Sequence, residues 1–254
     1  MLKSLDLRRR AFAAGAHLMI SAAVAGLGAV LVFGLWYPGP FRLMAGGREL
    51  FLLVVSVDVV IGPLLTFAVF NMAKGWSHLR RDLAVIGLIQ TAALVYGLYT
   101  VYAARPVAMV FEVDRFRLVT ASNVADDELP KAPPEYRELS LTGPLLLGTR
   151  RPQVGEERND ALFKGLAGVD IGSRPLFWQS YEQSRADAVV RSRPLALLLE
   201  QYPKQAADLR QSLTAMRADE ATGRFLPVMA RGTFVAVLDN TGAVLGYLPL
   251  DGFF

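Results

Sequence analysis

One aspartate inside an apolar stretch is the first residue of this chain that could do chemistry. Asp58 opens the string Asp58-Val59-Val60-Ile61-Gly62-Pro63-Leu64-Leu65-Thr66, and it is the only acid within three long apolar runs. A carboxyl in hydrocarbon can hold a proton or make a hydrogen-bonded contact. It is costly there, so it marks either a functional contact or a structural one that ties helices together. An intramembrane aspartyl protease needs two carboxyls, one as base and one as proton donor. A single chain supplies one, and a homodimer would have to supply the other. The remaining polar candidates are His17 in the first run, Thr66 in the second, and Gln90 and Tyr96 in the third. The chain has no cysteine, and its two histidines, His17 and His78, both precede residue 105. Zinc-histidine hydrolysis and a Ser-His-Asp triad are therefore excluded from residues 105–254. Phosphate-cradling Gly-rich loops and Gly-x-Ser-x-Gly elbows are absent as well.

The elements that must position these residues are the apolar runs. Ala11 to Leu35 has 25 residues, Leu50 to Phe70 has 21, and Leu83 to Ala104 has 22. A hydrocarbon core of about 30 Å needs roughly 20 helical residues, and lipid admits such segments as helices because every backbone group must bond within the segment. On straight helices, Asp58 and Tyr96 fall at a common depth of about 12 Å at 1.5 Å per residue. A Tyr96 hydroxyl bond to Asp58 is the expected contact. Thr66 and Gln90 form a second layer nearer the cytoplasm, with His17 near the depth of Gln90. Gly62-Pro63 predicts a bend or local unwinding of the second helix, either a packing kink or an opening of carbonyls to a partner. Ser21-Ala25-Ala29 and Ala22-Gly26 have small-xxx-small spacing, which permits close helix approach. Trp36 and Tyr37 read as an interfacial aromatic anchor, and Pro38-Gly39-Pro40 ends the helix.

Charge placement sets topology. Lys3, Arg8, Arg9, Arg10, Lys74, Arg80 and Arg81 flank one side, against Arg42 and Arg48 on the other. The positive-inside rule then puts the N-terminus in the cytoplasm and residues 105–254 outside it. Ala23-Val24-Ala25 has the small-x-small pattern of a signal-cleavage site, but the apolar run continues to Leu35, which favours an uncleaved span. The pI near 9.5 hints at nucleic acid. The distribution excludes it: residues 1–104 carry nine Lys/Arg and four Asp/Glu, whereas residues 105–254 carry eighteen and nineteen. The extramembrane part has no basic excess to neutralise phosphates.

Residues 105–254 have the length of one domain. Val107 to Val113 and Phe116 to Thr120 read as strands across an Asp114-Arg115 turn. Glu156 to Ala167, Pro175 to Arg191, and Leu195 to Met216 with a break at Pro203 read as helices. Thr233 to Leu238 and Ala243 to Leu250 form a hairpin through Asp239-Asn240-Thr241-Gly242. Asp126-Asp127-Glu128 reads as a solvated acidic face, and Phe177, Trp178 and Tyr181 as core. The expected fold is three transmembrane α-helices (residues 1–104) followed by a small α+β extracytoplasmic domain (residues 105–254).

Several motifs, taken together, resemble one family. They are Trp36-Tyr37-Pro38-Gly39-Pro40, Asp58-x-x-x-Gly62-Pro63-Leu64-Leu65-Thr66, Arg81-Asp82-Leu83-Ala84-Val85-Ile86, Gln90-x-x-Ala93-Leu94-x-Tyr96-Gly97, Ala104-Arg105-Pro106-Val107 and Phe111-Glu112-x-Asp114-Arg115-Phe116. Over about residues 12–120 the chain resembles the TfpX/TfpZ type IV pilin accessory proteins. The resemblance implies an inner-membrane protein that assists a cognate major type IV pilin, with the pilus assembly machinery and membrane lipid as further partners. It implies no catalytic residue and no cofactor. The residues expected to meet the pilin are Asp58, Gly62, Pro63, Thr66, Gln90, Tyr96 and His17. The competing class is a membrane enzyme that modifies pilin or envelope glycans, for which the outer face offers only Arg48, Glu49, Arg105 and Glu112.

Overall fold

The computed structural model describes residues 2–71 and 75–254, with side chains from Asp6 onward. The Lys3 side chain and Lys74, two of the topology-setting cations, lie outside that description. Among the described residues three helices are long and apolar enough to cross a membrane: Asp6–Trp36, Gly47–Val69 and Trp76–Ala103. The first is α1 (Leu2–Leu31) followed by a π turn, Val32–Trp36. After the short α2 (Phe41–Met44), the second is α3 (Gly47–Ser56), a π turn at Val57–Ile61 and α4 (Gly62–Val69). The third is α5 (Trp76–Ala103).

The expected unwinding at Gly62-Pro63 is a π turn one turn earlier. A proline has no N–H, and its ring clashes with the carbonyl four residues back, here Val59. The wider π turn moves that carbonyl aside, and the helix continues without a break. Its buried residues include Phe51, Asp58, Gly62 and Thr66, an inward stripe.

Tyr37 corrects the expected interfacial anchor. Its side chain is fully buried, its N–H donates to the Val32 carbonyl at 2.8 Å, and its hydroxyl donates to the Val101 carbonyl at 2.8 Å. A phenol away from water needs such an acceptor. Gly47 makes room for it, because a Cβ there would run into the Tyr37 ring. Ser21, Ala25 and Ala29 turn inward on α1, while Ala22 and Gly26 face out. The first small-residue stripe therefore packs within the bundle.

The second compact unit comprises Arg105–Phe254 together with Leu43–Ala45 from the first connection. Its strands are β1 (Pro106–Glu112), β2 (Arg115–Thr120), β3 (Leu145–Thr149), β4 (Trp178–Ser180), β5 (Arg193–Pro194), β6 (Arg224–Met229), β7 (Thr233–Leu238) and β8 (Val244–Leu248). They form one curled sheet in the order β4-β3-β1-β2-β6-β7-β8, with β5 on β6. β1 is buried along its whole length, as a central strand covered on both faces must be. The helices are α6 (Glu156–Leu166), α7 (Tyr181–Arg191), α8 (Leu195–Gln201) and α9 (Ala206–Ala215).

Pro203 divides the expected Leu195–Met216 helix into α8 and α9. Leu195, Leu198, Leu209 and Leu213 from the two halves still join one core with Phe225, Val235 and Val237. The expected Pro175–Arg191 helix begins only at Tyr181, after a single turn and the strand β4. The β7–β8 hairpin closes on Asp239, whose carboxylate accepts from the Thr241 and Ala243 N–H groups at 2.9 and 2.8 Å.

The acidic face also needs correction. Glu128 is buried, at 2.7 Å from the fully buried Arg174 and 2.9 Å from Lys164. Phe177, Trp178 and Tyr181 are buried, and Phe177 carries the Arg150 and Arg174 guanidiniums, each 4.7 Å from its ring centroid.

Candidate functional site

Two helical faces and one inward stripe meet around Asp58. His17, Ile20, Ser21 and Val24 come from α1; Gly87, Gln90, Thr91 and Leu94 come from α5; together with Asp58 they line a cavity of about 190 Å³. Each helix contributes positions i, i+3, i+4 and i+7, the spacing of one α-helical face. Both outer helices pack on the middle span, α1 along α4 and α5 along α3 and α4. The cleft lies between them, with Asp58 at its floor.

The polar geometry is unbalanced. His17 Nδ1 and Thr66 Oγ1 share a hydrogen bond of 2.6 Å. The Gln90 carboxamide lies where a side chain on Gly62 would begin, so any larger residue there must displace it. Asp58 Oδ1 and Gln90 Nε2 are buried and have no hydrogen-bond partner. A buried polar group without a partner costs free energy, more so where no water reaches it. One acceptor and one donor, on two residues that line one cavity, therefore lack partners.

Five of the seven expected residues come together: His17, Asp58, Gly62, Thr66 and Gln90. Pro63 contributes by shaping the π turn beside Asp58. Tyr96 does not join them. It is 72% exposed and lies on an apolar strip with Leu88, Ala92, Val95 and Tyr99. The depth match with Asp58 ignored azimuth: six residues past Gln90 is about 240° around the helix. Gly97, seven residues past Gln90, is the buried position instead. The two expected polar layers likewise become one cluster, because Asp58 and Gln90 line the same cavity.

Ser21, Gly87 and Thr91 were missed as cavity residues. Their signal was present: Ser21 stands one helical turn from His17, Gly87 one turn before Gln90, and Thr91 one turn after Gly87. Two of the four outer-face residues proposed for an enzyme are engaged otherwise. Arg105 donates to the Ser140 carbonyl at 3.1 Å, and Glu112 is held by Arg117 at 2.6 Å and the Gly172 N–H at 2.7 Å. Burial pushes the Glu112 carboxyl above its ordinary range in spite of Arg117.

Three helices long and apolar enough to span a membrane, followed by a curled sheet domain, suggest a membrane-associated protein. The chain belongs to the fimbrial assembly protein family. The Fimbrial assembly protein FimB model matches residues 5–46. The serogroup I fimbrial assembly protein of Dichelobacter nodosus is 35% identical over 242 residues, which cover 94% of each chain. The serogroup E1 protein of the same organism is 34% identical over 242 residues, with the same coverage. The protein of serogroups C1 and C2 is 43% identical over 118 residues, 46% of this chain and 90% of that one. No solved structure matches.

Proposed function

We propose that this protein is an inner-membrane accessory protein that binds a cognate type IV pilin and assists its stability or assembly into pili without catalysing a reaction. The names of its relatives support an assembly role, and the sequence resemblance supports a pilin as the client. The observation that carries the reading is the pair of unpartnered atoms, Asp58 Oδ1 and Gln90 Nε2, in a cleft between two apolar helices. A pilin awaiting assembly is a single apolar helix with a buried glutamate and a globular head. Its helix lies along the cleft, and its protonated carboxyl donates to Asp58 and accepts from Gln90. Each interhelical hydrogen bond of this kind contributes roughly 0.6–2 kcal/mol in lipid. The cation distribution supports a cytoplasmic N-terminus and a periplasmic sheet domain, which contacts the pilin head and governs partner choice.

Site-specific photocrosslinking in cells that express the neighbouring pilin tests this reading. Probes at Val24 and Leu94, on the two cleft walls, should capture unassembled pilin. A probe at Leu64, exposed outside the cleft, should not. Self-crosslinks alone, with piliation still dependent on the protein, overturn helix-level binding and move the contact to the sheet domain.

A further inference from the structure

We propose that the segment Ser140–Leu146, which runs into the start of β3, is a membrane-interface contact, seating Leu141, Leu145 and Leu146 at the boundary between lipid headgroups and acyl chains. The run Leu139 to Thr149 has eleven residues without a formal charge, between Arg137-Glu138 and Arg150-Arg151. Leu141, Leu145 and Leu146 are 55%, 40% and 37% exposed. Leu145 and Leu146 open β3 and point to opposite faces of the sheet, so apolar side chains are exposed on both sides of this end.

The fold identifies what covers it. β3 runs parallel to β1, with Ala108 opposite Leu145, so both strands start at the same end of the sheet. β1 starts at Pro106, three residues beyond the end of α5 at Ala103. The Arg105 side chain holds the Ser140 carbonyl at 3.1 Å, which fixes the loop beside the point where the chain leaves its third candidate span. Residues 43–45 of the first connection, part of the same compact unit, join the sheet at the same end. Arg231 donates its N–H to the Met44 carbonyl at 3.0 Å, and Met44 lies between the first two candidate spans. Met44, Ala45, Arg231 and Thr120 line one pocket, and Thr120 is the register partner of Pro106.

Two extended residues reach about 7 Å, and each interfacial layer of a bilayer is roughly 5–8 Å thick. The leucines therefore lie within reach of lipid. At the far end of β1 the surroundings are different: Val113 shares a pocket with Arg150, Arg151, Asp187 and Arg191. In this seating the three leucines meet lipid and Val113 stays in water. This inference rests on the candidate spans and is independent of the pilin reading.

The absence of cysteine makes single-cysteine labelling of the full chain direct. Leu141→Cys, Leu145→Cys and Leu146→Cys variants carry the fluorophore NBD in phosphatidylethanolamine/phosphatidylglycerol vesicles. Leu88→Cys, on an exposed face of α5, is the lipid reference, and Val113→Cys is the aqueous reference. Nitroxide lipids labelled at the headgroup or at shallow acyl positions should quench the loop probes about threefold more than the Val113 probe, as for side chains buried in the interface. Quenching no stronger than at Val113, with Leu88 quenched, overturns the proposal. A blue shift without lipid quenching also overturns it, by showing a protein cover. Loss of quenching at Leu88 overturns it together with the spans. In the unaltered chain, acyl-linked photoactivatable lipid should crosslink within residues 141–146, and a map without those residues counts against the proposal.

Discussion

In the sheet domain, Glu128 meets Arg174 at 2.7 Å and Lys164 at 2.9 Å, and Glu112 meets Arg117 at 2.6 Å. In the helix bundle, Asp58 Oδ1 and Gln90 Nε2 meet no partner among the described residues. Both regions bury acids, yet one completes their pairing and the other leaves it open. A domain that must fold alone gives its buried acids cationic partners, because an unpaired charge is costly, although Arg174 Nη1 and Arg185 Nε stay without a partner there. A bundle that receives another helix gains by leaving a donor and an acceptor for it. Helix α6 belongs to the first pattern. None of its residues is buried, and it is held by Glu157 on Arg150 (2.6 Å), Asp160 on Arg174 (2.6 Å) and Lys164 on Glu128.

The largest effect should come from breaking a closed pair. Arg174→Met leaves Glu128 and Asp160 without their guanidinium and should destabilise the sheet domain by about 3–5 kcal/mol. Denaturant unfolding of the full chain in detergent, read by protease resistance of residues 105–254, measures it. Asp58→Leu provides the contrast. The bundle should lose less than about 1 kcal/mol, since no intramolecular bond to Oδ1 is removed. Pilin capture from Val24 should fall about fivefold to tenfold, the worth of one to two interhelical hydrogen bonds. A bundle as damaged as the Arg174 variant's domain would erase the contrast and make Asp58 structural.

Gly62→Ala sharpens the open site. Its methyl displaces the Gln90 carboxamide, and overpacking of this kind costs about 1–3 kcal/mol. Pilin capture should fall with it, whereas Gly26→Ala, in open space, should change neither. Tyr37→Phe removes the hydroxyl bond to Val101 and should cost about 1 kcal/mol of bundle stability with capture unchanged.

The smallest effect is a pH dependence. The Arg150 guanidinium, with the Gln153 N–H, holds the Glu157 carboxyl at about 2. A carboxyl depressed in the folded state adds stability that is complete above its unfolded value near 4.3 and is lost as pH falls through about 2. Protection of α6 against hydrogen exchange should therefore be flat from pH 8 to 5 and decline below about 4. Glu157→Gln should remove that decline, and an unchanged decline would assign it to Asp160 instead.

The candidate spans were legible because lipid requires length and apolar composition, and both are properties of contiguous sequence. The polar residues of the cleft were legible for a related reason: His17, Asp58, Thr66 and Gln90 stand out against apolar neighbours. The hairpin at Asp239 to Gly242 was legible from turn chemistry. Strand β6 was not, because Pro227 argues against a strand. It is tolerated since it falls between Arg224–Phe225, paired with β5, and Val228–Met229, paired with β2. β3 was missed because a short uncharged run has no period that separates strand from loop.

Sequence alone determined that the chain has three apolar helices, that one acid lies among them, and that the cations favour one side. These follow from composition along the chain, where the solvent selects. Tertiary structure decided which of those polar groups meet. Azimuth about each helix turned Tyr96 outward and Gln90 onto Gly62, and the π turn before Pro63 set Asp58 at the cleft floor. It also decided that Glu128 is buried and α6 exposed, because partners such as Arg174 arrive from distant residues through the curl of the sheet. Pairing in space, unlike apolar length, is fixed only when the elements have packed.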